Sequence, residues 1–100
     1  MSVYAYIWEF RVRPEAAPDF ERIYGSGGDW VQLFRRSEGF IETLLLKDRL
    51  EANRYLTVDR WQSETDYQRF RERFAAEYHD LDKRCENLTL QERSLGTYES

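Results

Sequence analysis

The chain has 100 residues, of which 41% are hydrophobic and 34% are charged, with a formal net charge of -4. This length predicts one domain that spans residues 1–100 around a small core. No apolar stretch approaches the roughly 20 residues that cross a bilayer, and no basic segment followed by an apolar core begins the chain. The negative charge is opposite to that of proteins that neutralise phosphates. We therefore expect a cytoplasmic protein with neither a membrane nor a nucleic acid as its partner.

Residues 4–12 alternate at the period of a β-strand, and one of their two faces is almost wholly aromatic. The opposite face is apolar in its first half and charged at Glu9 and Arg11. A strand of this kind is covered on both sides. The aromatic face consists of Tyr4, Tyr6, Trp8, Phe10 and Val12.

A broken helical crossover follows this strand. One helix is predicted to run to about Tyr24, where the glycine-rich residues 25–28 end it through positive φ angles. Asp29 is predicted to cap a second, short helix that buries Trp30 and Phe34. Because the break interrupts the helical cover, we expect it to be the least tightly packed part of the domain and a route of entry for a ligand.

Two further strands are predicted at residues 40–47 and 54–61, joined as a hairpin by a polar loop. If the strand of residues 40–47 alternates without interruption, Phe40, Leu44 and Leu46 lie on the same face. In the second, Asp59 alternates with Arg60, and we interpret the two as a structural ion pair at the end of the sheet, with a substrate clamp as the alternative.

Ser63 is predicted to cap one long helix, and a fourth strand is predicted after Asn87. The apolar stripe of the helix has spacings of three and four residues, which is typical of a helix packed on a sheet. Its members are Tyr67, Phe70, Phe74, Tyr78 and Leu81.

The order of these elements is that of two βαβ halves. It predicts an α+β, ferredoxin-like (split βαβ) fold, in which a four-stranded antiparallel sheet carries its helices on one face. The other sheet face is then apolar and uncovered, so we expect a second copy of the chain to cover it in a homodimer.

Three segments resemble the antibiotic-biosynthesis monooxygenase (ABM) domain of the dimeric α/β-barrel superfamily. They are the strand of residues 6–12, the segment of residues 24–36, and Asp59-Arg60-Trp61 followed by Ser63-Glu64. The resemblance covers nearly the whole chain. It implies a sheet that pairs with that of its mate into a barrel, and a pocket between sheet and helices. The superfamily includes cofactor-free oxygenases of polycyclic phenols, haem-degrading enzymes and proteins of unknown role, so the resemblance indicates the fold more strongly than the activity.

The same resemblance argues against haem degradation. Haem-degrading relatives have an Asn, a Trp and a haem-ligating His, and this chain has Phe10 and Phe70 in place of the first two. His79 lies one position from the place of the ligand, and one residue rotates a helical side chain by about 100°.

The aromatic side chains of strand and helices have two interpretations: ordinary core, or the wall of a cavity for a ring-shaped ligand. The candidate substrate-binding residues are Tyr6, Trp8, Phe10, Trp30, Phe34, Tyr67, Phe70 and Phe74. His79, the single histidine, is either an exposed or rim residue or a catalytic general base at the mouth of the pocket. Neither metal-ligand spacing nor a dinucleotide signature occurs, and Cys85 is the single cysteine, so we expect no cofactor and no metal.

Two functions are compatible with these features of the sequence. The first is a cofactor-independent monooxygenase that acts on an aromatic or polyketide-like small molecule. The alternative is a non-catalytic dimeric protein that binds a small molecule or has a stress-related role. A polar-lined cavity of roughly 300 Å³ or more favours an enzyme or a ligand-binding protein, whereas an interior filled by side chains excludes the enzyme.

Overall fold

The computed structural model describes residues 2–100 and has the predicted ferredoxin-like α+β fold. Its four-stranded antiparallel sheet has the order β2-β3-β1-β4, and its helices pack on one face. The strands are β1 (Tyr4–Val12), β2 (Phe40–Lys47), β3 (Arg54–Trp61) and β4 (Thr89–Glu99). The helices are α1 (Ala17–Tyr24), α2 (Asp29–Phe34), α3 (Glu64–Arg73) and α4 (Ala75–Cys85), with short 3-10 turns at Pro14–Ala16 and Glu86–Leu88. Among the described residues, no helix has the length and apolar content needed to span a bilayer.

The core is built from aromatic rings of β1 and β3 that meet rings of the helices. Phe10 packs on Phe20 and Tyr24, with ring centroids 5.2 and 5.1 Å apart. Trp61 at the other end is fully buried against Phe70, 5.2 Å away. The predicted aromatic face of β1 is therefore the face that the helices cover.

A β-bulge in β2 reverses the expected faces of its side chains. Phe40 pairs with Trp61 and Glu42 with Arg60, so Ile41 is the extra residue. Phe40 consequently packs into the core, while Leu44 and Leu46 lie 43% and 47% exposed on the opposite face. The prediction that Phe40 shares a face with these leucines was wrong, because it assumed uninterrupted alternation.

The predicted long helix is two helices, separated at Phe74, where φ is -112° and ψ is 30°. Its predicted start is confirmed, since the backbone N–H of Asp66 donates to the Ser63 hydroxyl at 3.1 Å. Phe70 and Leu81 are both buried, so the apolar stripe continues across the break.

The glycine-rich segment between α1 and α2 is tightly packed at Gly28 and open at Gly27. Gly28 has a φ of -84° and is itself the N-cap, with Asp29 as the first helical residue. A Cβ atom on Gly28 would lie 2.2 Å from the carbonyl oxygen of Ile23. Glycine is therefore required at position 28 by the close approach of the backbone, and the predictions of positive φ and of Asp29 as cap were wrong.

The sheet face opposite the helices, called the helix-free face below, has an apolar centre and charged ends. Ile7 pairs with Val58, which in turn pairs with the exposed Leu44. At one end Glu9 lies between the guanidinium groups of Arg54 and Arg93, at 2.6 and 2.9 Å.

Candidate active site

A cavity of about 340 Å³ lies between the sheet and the helices. It exceeds the volume of roughly 300 Å³ at which small-molecule sites begin, so the interior is not filled by side chains. Aromatic and polar groups both contribute to its lining, which consists of Tyr6, Trp8, Phe10, Tyr24, Trp30, Phe34, Thr43, Thr57, Asp59, Arg71, Tyr78, Asp82 and Glu92.

Strand β1 and helix α2 supply the predicted aromatic residues that reach the cavity. These are Tyr6, Trp8, Phe10, Trp30 and Phe34. The remaining candidates lie outside its lining: Phe70 and Phe74 are buried in the core, and Tyr67 packs on Tyr4, Tyr6 and Trp61.

The rings of Tyr6 and Trp8 form a flat wall. Their centroids are 5.3 Å apart and their planes differ by 21°, which is a stacked arrangement. The Nε1 atom of Trp30 is buried and has no hydrogen-bond partner within residues 2–100. The same holds for Nε1 of Trp61, so both indole N–H groups lie inside the packed interior.

Asp59 lies on the sheet floor of the cavity, at the centre of three strands. It is opposite Tyr6 of β1 and Thr43 of β2. The Thr43 hydroxyl donates to Oδ1 of Asp59 at 2.8 Å. Burial raises the pKa of Asp59 to about 6, against the lowering effect of this hydrogen bond.

The interpretation of Asp59 and Arg60 as an ion pair was wrong. Neighbouring residues of a strand point to opposite faces of the sheet, and Arg60 instead binds Glu42 at 2.5 Å. No ion pair among the described residues includes Asp59. Its carboxylate therefore faces the cavity without a paired cation.

Helices α3 and α4 provide phenols and one guanidinium group on the side opposite Asp59. Arg71 donates to the hydroxyl of Tyr67 at 3.0 Å, and its guanidinium carbon lies 3.9 Å from the ring centroid of Tyr78. Burial raises the pKa of both tyrosines, so their hydroxyls stay protonated at neutral pH and can donate hydrogen bonds.

Two exposed carboxylates, Asp82 of α4 and Glu92 of β4, mark the mouth of the cavity. Burial and then the charge of Asp82 raise the pKa of Glu92, as expected for two like charges close together. The exposed part of the lining therefore carries these two carboxylates together with the guanidinium group of Arg71.

His79 is exposed on α4 and is not among the residues that line the cavity. Sequence reasoning passed over Asp59 as a candidate acid or base, although its alternation with Arg60 already placed it on the aromatic face of β3. The signal in the sequence was that Asp59 alternates in phase with Tyr55, Thr57 and Trp61, which places a carboxylate on an otherwise uncharged face of the strand.

No group of three or more His, Cys, Asp or Glu side chains within residues 2–100 is arranged to hold a metal ion. Phe10 and Phe70, which the resemblance described above places where haem-degrading enzymes have an Asn and a Trp, are both buried in the core.

We expect added haem not to be degraded, because neither phenylalanine can donate a hydrogen bond to a haem-bound ligand. An absorbance titration with haem and a reductant measures this, with the Soret band expected to persist. Stoichiometric binding followed by loss of that band would contradict the prediction and make His79 the candidate ligand.

Solved structures share this fold along the whole chain. SnoaB, a cofactor-independent oxygenase from Streptomyces nogalater, is 19% identical with a TM-score of 0.69, over 100% of this chain and 94% of its own. A candidate antibiotic biosynthesis monooxygenase from Bordetella bronchiseptica is 18% identical with a TM-score of 0.76, over 100% and 98%. PA3566 from Pseudomonas aeruginosa is 14% identical with a TM-score of 0.67, over 100% and 93%. At these identities the likeness concerns the fold.

No curated protein matches the sequence. The family model described as antibiotic biosynthesis monooxygenase matches residues 4–80, which include every residue of the cavity lining except Asp82 and Glu92. With this match over most of its length, the chain belongs to the antibiotic biosynthesis monooxygenase family.

Proposed function

We propose that the protein is a cofactor-independent monooxygenase that acts on an aromatic or polyketide-like small molecule in the cavity between sheet and helices. The observation that carries the proposal is a cavity of about 340 Å³ with a stacked aromatic wall and a half-buried carboxylate on its floor. The description of SnoaB as a cofactor-independent oxygenase supports it.

In the proposed reaction the substrate supplies the electrons. A phenolic substrate with an acidic C–H group loses a proton to a base, and the carbanion passes one electron to O₂. The radical and the superoxide combine into a peroxide. Cleavage of its O–O bond leaves a carbonyl on the product and releases the second oxygen atom as water. The residues are required to bind, to orient and to move protons.

The aromatic residues have different parts in this proposal. Tyr6 and Trp8 stack on the flat ring system of the substrate, and Trp30 adds a further aromatic ring to the cavity wall. Phe10 and Phe34 close the apolar end of the cavity. The other three predicted residues, Tyr67, Phe70 and Phe74, lie outside the lining and pack in the core next to the residues that form it.

Ligand binding and oxygen uptake test the proposal together. We expect polycyclic phenols to quench tryptophan fluorescence and to drive oxygen consumption by protein freed of metals with a chelator. Trp8→Phe is expected to weaken binding by roughly 2- to 10-fold, the worth of an aromatic pair. His79→Ala is expected to keep binding and turnover, and loss of turnover alone would instead assign the base to His79.

Two other outcomes would reject the enzyme. Binding without oxygen uptake across the panel would support the alternative, a non-catalytic small-molecule-binding protein. If no compound changes the fluorescence and both variants behave as the wild type, the aromatic residues are ordinary core.

We also propose a homodimer through the helix-free face. This face exposes apolar side chains of β2, of β4 and of the central strands, which a second copy would bury. Leu44 and Tyr98 on it are 43% and 51% exposed. Leu45, on the other face of β2, packs against the core, so substitutions at Leu44 report on the interface without disturbing the core.

Leu44→Lys is expected to give monomer or aggregate, because it places a charge in the proposed apolar interface. Sedimentation at micromolar concentration measures this, and Leu50→Lys is the control, since Leu50 is 97% exposed in the loop after β2. A wild-type protein that sediments as a stable monomer would contradict the dimer.

A further inference from the structure

We propose that Asp59 is the general base of this reaction and that it takes the proton from the acidic C–H group of the substrate. The inference rests on the proposed monooxygenase function and names its proton acceptor; anthrone, a tricyclic ketone with an acidic methylene group, is the probe.

The position of Asp59 suits it to this task. Thr43 holds Oδ1 at 2.8 Å, and Oδ2 has no hydrogen-bond partner within residues 2–100. The side chain lines the cavity on the same face of the sheet as Tyr6, its partner in β1, whose ring stacks with that of Trp8. A flat substrate on this wall brings its edge to the carboxylate.

The surroundings of Asp59 leave it basic but able to give its proton back. Burial raises its pKa to about 6, and a base is most effective when its pKa lies near the working pH. The protein keeps it unpaired, since the one cation of the lining, Arg71, is engaged with Tyr67 and Tyr78. The polar and titratable groups that line the cavity with it are Tyr6 of β1, Thr43 of β2, Thr57 of β3, Arg71 of α3, Tyr78 and Asp82 of α4, and Glu92 of β4. Tyr67 of α3, outside the lining, also senses its charge.

The other titratable groups are placed less well. Asp82 and Glu92 lie exposed at the mouth, where water surrounds them, and His79 lies outside the lining. Among the cavity carboxylates, Asp59 is the one on the floor.

The proposed proton transfers balance. Asp59 takes the first C–H proton, and the electron pair stays on the substrate as a carbanion. Oxygen adds to this carbon, and Asp59 returns the proton to the peroxide. It then takes the second C–H proton while the O–O bond breaks, and it gives that proton to the departing hydroxide, which leaves as water. Anthrone and O₂ thus become anthraquinone and water, with anthrone oxidised and O₂ reduced.

Proton abstraction can be measured without oxygen. In D₂O under nitrogen, the wild type is expected to accelerate exchange of the methylene protons of anthrone, followed by NMR, with a rate that rises with pH through about 6 and then levels. Asp59→Asn is expected to lower this rate by about 100-fold or more, with anthrone binding by fluorescence quenching retained. Asp80→Asn, which removes an exposed carboxylate of α4 outside the cavity, is expected to match the wild type.

A second variant separates a base from a structural residue. Thr43→Val removes the hydrogen bond that lowers the pKa of Asp59, so the midpoint of the pH profile is expected to move upward. Thr57→Val, on the same cavity floor, is expected to leave the midpoint unchanged. Carbon-13 NMR of the Asp59 carboxyl in the ligand-free wild type gives the same midpoint without any substitution.

The outcomes distinguish this inference from the function on which it rests. Wild-type exchange in Asp59→Asn would overturn Asp59 as the base even if oxygen is consumed. Exchange that depends on Asp59 without any oxygen uptake would keep the base and reject the monooxygenase. A wild type that binds no compound of the polycyclic phenol panel, anthrone included, would overturn both.

Discussion

Asp59→Asn is expected to make the protein more stable at pH 7 while it removes proton abstraction. The pKa of Asp59 is raised from 3.8 to about 6 in the folded protein, so between these values the folded state binds more protons than the unfolded state. The stability that the protonated Asp59 side chain contributes is fully present below pH 3.8. It is lost as the pH rises through about 6, where the folded protein must ionise this group. A shift of about two pKa units corresponds to about 3 kcal/mol at most.

Asparagine has nearly the same shape as aspartate but no charge to desolvate. The variant therefore does not lose stability through ionisation of this side chain. Its free energy of unfolding at pH 7 is expected to exceed that of the wild type by up to about 3 kcal/mol, and the difference should vanish near pH 3.5. Urea denaturation at both pH values and at one protein concentration measures this. Asp80→Asn is the control for net charge, with no difference expected at either pH. A variant less stable than the wild type at pH 7 would contradict the prediction.

Trp61→Ala is expected to destabilise the fold by about 3 to 5 kcal/mol, the usual cost of truncating a buried tryptophan. Trp61 is fully buried and its ring meets those of Phe34, Phe40 and Phe70. These rings belong to three different elements, so the void left behind cannot close by a small local movement. Since small domains have about 5 to 15 kcal/mol of stability, the loss is a large share of the total.

Trp8→Ala is the matched control, because Trp8 already borders the cavity and is only partly buried. Its truncation enlarges an existing space, so we expect a smaller loss of stability together with loss of ligand binding. Thermal and urea denaturation compare the two variants. Equal losses would contradict the distinction between the core around Trp61 and the wall at Trp8.

The sequence predicted those elements of the fold that depend on a single local pattern, such as strand alternation or a helix cap. The period of two in β1 identified the face that packs on the helices, and Ser63 marked the start of α3 correctly. The bulge at Ile41 was missed, because an extra residue in one strand is visible only against its partner strand. The break at Phe74 was missed because the apolar stripe continues through it.

The candidate site was predicted in part for a similar reason. Alternation identified Tyr6, Trp8 and Phe10, which share one face of one strand. The cavity also depends on groups from elements that meet only in three dimensions, such as Arg71 of α3 and Glu92 of β4. Asp59 was within reach of the sequence, but its adjacency to Arg60 suggested an ion pair that the pleat of the strand forbids.

The most direct test of a cofactor-independent monooxygenase is the fate of isotopic oxygen. Metal-free protein is incubated with anthrone under ¹⁸O₂, and the anthraquinone is analysed by mass spectrometry against anthrone in buffer alone. We predict one ¹⁸O atom in the product, formed faster than in buffer and at the buffer rate with Asp59→Asn. Formation of anthraquinone at the buffer rate by the wild type, with anthrone bound, would contradict the proposed function.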